Sequence, residues 1–438
     1  MSNMMKFESE FSKEEALAEA SRCLQCKKPL CRQGCPVYNA IPQFIKALKE
    51  GDYAQGLEAI YRHSYLPAVC GRVCPQEKQC EASCILARKG KAIRIGKLEQ
   101  FVADNAKEVE FPKVTATMGA IAVIGSGPAG LAAAVQLAQL GYSVAVFEGE
   151  AEPGGVLLHG IPEYRLPKDV VRRDIEKIKN LGVEFKLNTL VGEHLLLDDL
   201  LASGYQAVFI GTGAGLPRTL DIPGDDLEGV ISALYVLQTT NLFNLGQLPE
   251  SELPIEKGER VVVIGAGNVA MDAARSSSRM GADVTVLARR GLNKMAARDI
   301  ERDEAIADGV KIRTYAAPQE ILGEGNVTGI ACAQTMVTDE GKVAIKPEEG
   351  FVLPADKVIF AIGQRPYARI VTTSEGFQID KQGLLLCNDH GMTTREGVFA
   401  AGDVVHGPAT VVKAMGEGRR IAIEMHAYLL RKRVMTAK

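Results

Sequence analysis

The stretch "AIAVIGSGPAGLAAAVQLAQLGYSVAVFE", Ala120 to Glu148, runs from an apolar strand through a Gly-rich turn into a helix and out into a second strand. That order is the βαβ unit of a parallel sheet. Gly125 permits the tight turn, Gly127 lets a backbone approach a pyrophosphate, and Gly130 lets the helix pack closely on the strand. The helix that begins at Pro128 and Ala129 turns its N-terminal end toward the anion. Glu148 ends the second strand, where a carboxylate accepts hydrogen bonds from ribose hydroxyls.

The same order returns at Arg260 in "RVVVIGAGNVAMDAARSSSRMGADVTVLARR", with Gly265, Gly267, Asn268, Val269 and Ala270 in the fingerprint. Here the strand end differs. Glu148 stands 23 positions after Gly125, and the same offset from Gly265 gives Ala288, followed by Arg289 and Arg290. Two guanidiniums replace the ribose-binding acid, which suits the 2′-phosphate of NADP(H) rather than NAD(H). "AVFIGTGAGLPR" (207–218) and "KVIFAIGQRPYAR" (357–369) also echo each other, each an apolar strand with a Gly exit and a later Pro. The sequence therefore predicts two related dinucleotide-binding domains, the second inserted in the first, with "GVFAAGDVVHGPATVVKAMGEGRRIAIEMHAYLL" returning to complete the first.

Residues 1 to about 112 read differently, as helices that carry cysteines. "KEEALAEASRCL" and "IPQFIKALKEGDYAQGLEAIYRH" have helical periodicity, Ser12 and Glu15 form a plausible capping box, and "EVEFPKVTATMG" reads as a linker. The expected fold is α/β: an N-terminal all-helical iron–sulfur domain followed by the two Rossmann-like domains. The expected limits are 1–112 for the helical domain, 113–255 with 371–438 for the first dinucleotide domain, and 256–370 for the second.

Composition bounds the function. The 438 residues are 46% apolar and 24% charged with a net charge of -3. This is an ordinary soluble balance, with no basic excess to draw nucleic acid or a membrane surface. No apolar run approaches the roughly 18 residues of a membrane span. "MSNMMKFESE" has neither a basic n-region nor an apolar h-region, so a cytoplasmic protein is expected.

Eight of the ten cysteines fall between Cys23 and Cys84. A disulfide framework, a zinc site and iron–sulfur ligation are the three readings, and a reducing compartment disfavours the first. The runs are C-x2-C-x4-C-x3-C-P (Cys23, Cys26, Cys31, Cys35) and C-x3-C-x5-C-x3-C (Cys70, Cys74, Cys80, Cys84). In two-cluster ferredoxins the cysteine just before Pro ligates the other cluster. By that logic Cys23, Cys26 and Cys31 share a cluster with a distant fourth ligand, and Cys35 joins the second group. Cys332 and Cys387 stand alone and read as packing residues. With no Cys-x-x-Cys after residue 84, disulfide reduction is disfavoured and the N-terminal cysteines are the remaining redox-capable thiols.

Residues 119–438 resemble the flavoproteins with two dinucleotide-binding domains, through "GVFAAGD" (Gly397–Asp403) and "GPAT" (Gly407–Thr410). That resemblance assigns FAD to the first fingerprint and nicotinamide to the second. Nearly the whole chain resembles the small subunit of glutamate synthase. Its kin are the large subunit of NADH-dependent reduced ferredoxin:NADP oxidoreductase and the N-terminal half of dihydropyrimidine dehydrogenase. The motifs that carry it are the two cysteine runs, "GSGPAG", "GGVLLHGIPEYRLPK", "GAGNVAMDAAR", "ARR" and "AAGDVVHGPATVV". It implies that FAD is held by Gly125, Gly127, Pro128, Ala129, Gly130, Glu148, Gly155, Gly402, Asp403, Ala409, Thr410 and Val411. It implies NADP(H) at Gly265, Gly267, Asn268, Val269, Ala270, Arg289 and Arg290. One [4Fe–4S] cluster would take Cys23, Cys26, Cys31 and Cys84. The other would take Cys35, Cys74, Cys80 and Glu99, with Gln100 the neighbouring alternative and Cys70 spare.

The function then expected is an NADPH oxidoreductase subunit that exchanges hydride between NADP(H) and FAD, and single electrons through two clusters with a flavin or iron–sulfur partner subunit. Alternatives are the small subunit of glutamate synthase itself or of a pyrimidine-reducing complex, a non-catalytic relay subunit, and a zinc-bearing interaction module. Two departures from the family stand out. His159 occupies a position that is often aromatic, and "NKMAARDIERDE" lacks the usual proline and much of the acidic density.

Overall fold

In a computed structural model the structure describes residues 10–367 and 369–436. Two compact units form. Of the described residues, one unit holds 159–164 and 215–364, and the other holds 10–158, 165–214, 365–367 and 369–436.

The larger unit begins with the helices Lys13–Ser21, Ile41–Glu50, Tyr53–Tyr61, Pro67–Val73 and Ile95–Asn105. The capping box is present: Glu15 N donates to Ser12 Oγ, and Ser12 N donates to Glu15 Oε2. The long helical period from Ile41 divides in two. Gly51 adopts φ +79° and ends one helix, while the Asp52 carboxylate caps the next through Gln55 N. Gly71 lets the helix Pro67–Val73 lie against Ile95–Asn105, since a Cβ there would sit 2.6 Å from Gln100 N.

The same unit holds a five-stranded parallel sheet in the order Val398–Ala400, Ala207–Ile210, Ala120–Ile124, Ser143–Phe147, Glu184–Lys186. Its inner strands are buried on both faces, which is why they read as unbroken apolar runs. The chain leaves this sheet after Ile210 and returns at Val398. Between those points lies the second five-stranded parallel sheet, Val230–Ser232, Lys357–Phe360, Arg260–Ile264, Asp283–Ala288, Lys311–Thr314. The second dinucleotide fold is therefore inserted in the first.

Three features differ from the sequence expectation. The change of sheet does not come at 255. Val230–Ser232 pairs in register with Val358–Phe360, and the following helix Ala233–Asn244 belongs to the second unit, so both precede the expected limit. Residues 159–164 also group with the second sheet. Finally, Ala316–Glu324, Asn326–Val337 and Val343–Pro354 form a three-stranded antiparallel sheet that the sequence reading did not foresee.

Within the larger unit an ionic seam joins the cysteine-bearing helices to the helix Lys168–Asn180. Arg72 and Arg173 both reach Asp104, at 2.7 and 3.1 Å, and Lys177 Nζ donates to Tyr61 Oη and Val109 O. Asp174 lies under this seam with its Oδ2 buried and unpartnered. Burial pushes its carboxyl up to about 7, against the opposing pull of Arg173, Lys177 and Arg72. The folded chain thus keeps a proton that the unfolded chain releases from its ordinary 3.8, and stability falls as pH rises through that window. Asp174→Asn is expected to stabilise the protein by a few kcal/mol, on the order of 1–4, above pH 7. The gain in melting temperature should be larger at pH 8 than at pH 5; an equal gain at both refutes the assignment.

Candidate functional site

The first fingerprint is tightly constrained. Gly125 has φ +92°, and a Cβ on Gly130 would sit 1.9 Å from the Gly125 carbonyl oxygen. Gly127, by contrast, faces open space, with nothing closer to an added Cβ than Gly211 O at 4.0 Å. That opening lies at the N-cap of the helix Pro128–Gln139, where the backbone donors are free for an anion.

Gly155 is drawn to this place: a Cβ added to it would lie 3.1 Å from Gly127 Cα. Glu148 Oε2 accepts from Ser126 N and Ser126 Oγ, at 3.0 and 2.5 Å, while Ser126 Oγ accepts from Gly154 N at 2.8 Å. Ser126 thus ties the acid, the turn and the following loop together. The sequence reading passed over it, because it occupies a variable position of the motif.

The returning segment closes the same site. Gly402 and Gly418 both press on Ala129: an added Cβ would lie 3.0 Å from Ala129 Cβ and 2.1 Å from Ala129 O, respectively. Gly402 N donates to Glu417 Oε2, and Ala409 N donates to Asp403 Oδ1 at 3.1 Å. Burial raises the Asp403 carboxyl. Thr410 precedes the helix Val411–Thr436, with Lys413 N donating to its carbonyl. Gly125, Gly127, Gly130, Glu148, Gly155 and Gly402 are therefore gathered about one helix N-terminus, with Asp403 and Ala409 following Gly402 and Thr410 and Val411 opening the next long helix, and the open cradle at Gly127 fits a flavin diphosphate.

In the second unit Gly265 has φ +140° and approaches Ala361 O, while Gly267 faces open space at the N-cap of Asn268–Arg279. Ala270, in place of the third glycine, is fully buried, and Val269 is exposed. Asn268 Oδ1 accepts from Arg298 N at 2.9 Å, which ties the loop after the arginine pair to the fingerprint. Arg289 and Arg290 are exposed just beyond the strand Asp283–Ala288, and Thr335 Oγ1 holds the Arg289 carbonyl.

The cysteines form two groups. Cys23, Cys26, Cys31 and Cys84 line one cavity of about 90 Å³. Burial, then Cys84, pushes the Cys31 thiol up to about 11, and burial also raises Cys23. In the other group burial, with Glu99 and Cys70 nearby, pushes Cys35 up to about 11. Cys80 is raised by burial and Glu99, and Cys74 by its hydrogen bond with Cys70 and by burial. The Glu99 carboxyl is pushed up to about 8 by burial, and Asn39 Nδ2 donates to its Oε1 at 3.1 Å. Gln100 points elsewhere, with its Nε2 donating to Glu10 Oε1. Buried sulfurs that repel one another as anions gain most from a cationic iron centre, so the donor set fits the group. Among the described residues no three His, Cys, Asp or Glu side chains close on a single point as a lone ion requires.

Comparison with known proteins agrees with this geometry. Residues 119–418 match the pyridine nucleotide-disulphide oxidoreductase family, and residues 1–111 match the family described as dihydropyrimidine dehydrogenase domain II, 4Fe-4S cluster. The chain is 37% identical over 430 residues to the glutamate synthase [NADPH] small chain of Escherichia coli, covering 94% of this chain and 91% of that one. It is 34% identical over 421 residues to the NAD-dependent dihydropyrimidine dehydrogenase subunit PreT of E. coli, covering 94% of each. Mycobacterium tuberculosis FprA in complex with NADPH shares the fold at TM-score 0.60 and 23% identity, over 73% of this chain and 86% of that chain. Thioredoxin reductase from T. acidophilum shares it at TM-score 0.54 and 22% identity, over 71% of this chain and 98% of that chain. The chain belongs to the glutamate synthase small-chain family of oxidoreductases, which work with FAD, NADP(H) and [4Fe–4S] clusters.

Proposed function

We propose that the chain exchanges hydride between NADP(H) and FAD and passes single electrons through two [4Fe–4S] clusters to or from a partner chain. When bound, the nicotinamide supplies two-electron chemistry, the clusters one-electron chemistry, and the flavin both. Gly125, Gly127, Gly130 and the helix behind them hold the flavin diphosphate, with Glu148, Asp403 and Thr410 around it. Gly265, Gly267 and Asn268 receive the nicotinamide dinucleotide, and Arg289 and Arg290 its 2′-phosphate. Cys23, Cys26, Cys31 and Cys84 hold one cluster, and Cys35, Cys74, Cys80 and Glu99 the other. We take residues 1–112 as the iron–sulfur domain, and the cytoplasm as its compartment, where exposed thiols stay reduced. Among the described residues no helix is long and apolar enough to cross a membrane.

One observation carries the reading. Ser64 Oγ lies 4.0 Å from Cys70 Sγ and 3.9 Å from Met415 Sδ, and all three residues are buried. Met415 sits on the helix that starts just after Thr410, and Cys70 sits beside Cys74. The helix whose Gly418 presses on Ala129 of the first fingerprint thus meets the Cys70–Cys74 segment through one buried contact. This supports an order of flavin, then the cluster of Cys35, then the cluster of Cys23. Cys332 and Cys387 stand 55 positions apart in the sequence with no Cys-x-x-Cys after residue 84, which supports cluster rather than dithiol chemistry. The relatives are named as a small chain and a subunit, which supports a partner chain.

Anaerobic purification followed by iron, zinc and flavin analysis tests the proposal. About eight irons per chain with flavin bands are expected, together with much faster bleaching by NADPH than by NADH; zinc in place of iron overturns it. Glu99→Ala should lower the iron content to about four per chain, whereas Cys70→Ala should leave it unchanged. The reverse result would make Cys70 the fourth ligand.

A further inference from the structure

The segment Arg22–Lys49 contains no Asp or Glu and carries Arg22, Lys27, Lys28, Arg32, Lys46 and Lys49. The segment Ala82–Leu98 likewise has no acid and carries Arg88, Lys89, Lys91, Arg94 and Lys97. Both belong to a chain whose net charge is -3, so these two segments are basic against the rest. They meet in the structure. Cysteines from each line the same cavity, and Arg22 Nη2 donates to Lys91 O at 2.5 Å.

At the rim of that cavity Leu24, Leu30 and Ile85 are exposed to 60%, 37% and 44%. Lys27, Lys28, Arg88, Lys89 and Lys91 are exposed around them, and among the described residues none of the five forms an ion pair. Apolar contact at the centre with unpaired charge of one sign at the edge is the make-up of a transient protein interface. Its unpaired cations attract a partner of opposite sign from a distance.

We propose that this face docks an acidic one-electron carrier, protein or domain, over the Cys23, Cys26, Cys31 and Cys84 group. The inference rests on the electron-transfer reading and adds the chemistry of the partner. One NADPH reduces two such carriers, giving NADP+, one proton and two reduced carriers, so the step balances without another reagent.

Two stand-in acceptors of opposite charge test it: rubredoxin, a small acidic iron protein, and cytochrome c, a basic haem protein. With the complete cofactor-loaded chain at low ionic strength, NADPH is expected to drive rubredoxin reduction faster than cytochrome c reduction. Salt at about 0.5 M, which shortens the screening length to a few ångström, should slow rubredoxin at least tenfold. The combined variant Lys27→Glu, Lys28→Glu, Arg88→Glu, Lys89→Glu should slow it similarly at low salt, with iron content and bleaching by NADPH unchanged. Should the reversed charges reduce iron content, the neutral pair Lys27→Gln, Lys28→Gln gives the same comparison. Faster reduction of cytochrome c, or an unaltered rubredoxin rate in the variants, overturns the proposal. Anisotropy of labelled rubredoxin decides the surface without electron transfer. Salt-sensitive binding that the variant loses supports it even if NADPH fails to bleach the protein, and absent or salt-insensitive binding overturns it. Failed bleaching would itself count against the functional reading only.

Discussion

Gly130→Ala is expected to yield a chain without flavin that melts well below the wild type. The added methyl would lie 1.9 Å from the Gly125 carbonyl oxygen, and that oxygen belongs to the turn that Ser126, Glu148 and Gly154 hold in place. Neither side can yield cheaply: Ala129, one residue earlier, is pressed from behind by Gly418. Forcing backbone atoms apart here should cost more than about 3 kcal/mol. Gly127→Ala supplies the contrast, because its methyl meets open space. That variant should fold normally and lose flavin affinity alone. Flavin absorbance per chain and thermal unfolding separate the two outcomes. A Gly130→Ala protein with full flavin and an ordinary melting point would refute the packing argument.

The second large effect concerns nucleotide choice. Arg289 and Arg290 are exposed beyond the strand end, so their loss should leave stability within about 0.5 kcal/mol. Each charge-assisted hydrogen bond to a phosphate is worth about 1.5–3 kcal/mol. The double substitution Arg289→Ala, Arg290→Ala should therefore raise KM for NADPH on the order of a hundredfold while leaving NADH use unchanged. Stopped-flow bleaching by each nucleotide measures this directly. Equal losses for both would mean that the pair positions the fingerprint loop and does not read the phosphate. Thr335 on the Arg289 carbonyl would be the first contact to test in that case.

Much of this architecture was readable because it repeats. Each βαβ unit carries a buried apolar strand, a Gly turn and an apolar helix, a pattern that local sequence dictates strongly. The insertion was readable from the orphaned return at Gly397, which needed a sheet to join. What escaped was short or relational. Val230–Ser232 is three residues long, too few to show a period, and only its pairing with Val358–Phe360 assigns it to a sheet. The antiparallel strands from Ala316 to Pro354 shift register at Pro318/Glu320, Leu322/Gly323 and Ala333/Gln334, so their alternation is broken. Ser126 has no signal at all in the chain. Its role arises from one acceptor, Glu148, and one donor, Gly154 N, that are 22 and 28 residues away. Likewise spacing grouped Cys35 with the later cysteines, whereas Glu99 came from the family resemblance and not from spacing; in the fold Glu99 lies near Cys35 while Gln100 turns to Glu10.

The interrupted sheet has a kinetic consequence during synthesis. The strand Ala207–Ile210 leaves the ribosome with one edge paired to Ala120–Ile124 and the other waiting for Val398–Ala400. Everything from the second dinucleotide fold to the antiparallel sheet must be translated before that partner exists, which at 5–20 residues per second is on the order of 10–40 seconds. For that interval an apolar edge is open to pairing with another chain. The inserted unit, whose own strands are all encoded within it, can fold in the meantime and bring the two ends of the gap together. Slow or faulty folding of the insert should therefore be felt first as aggregation of the sheet whose chain it interrupts.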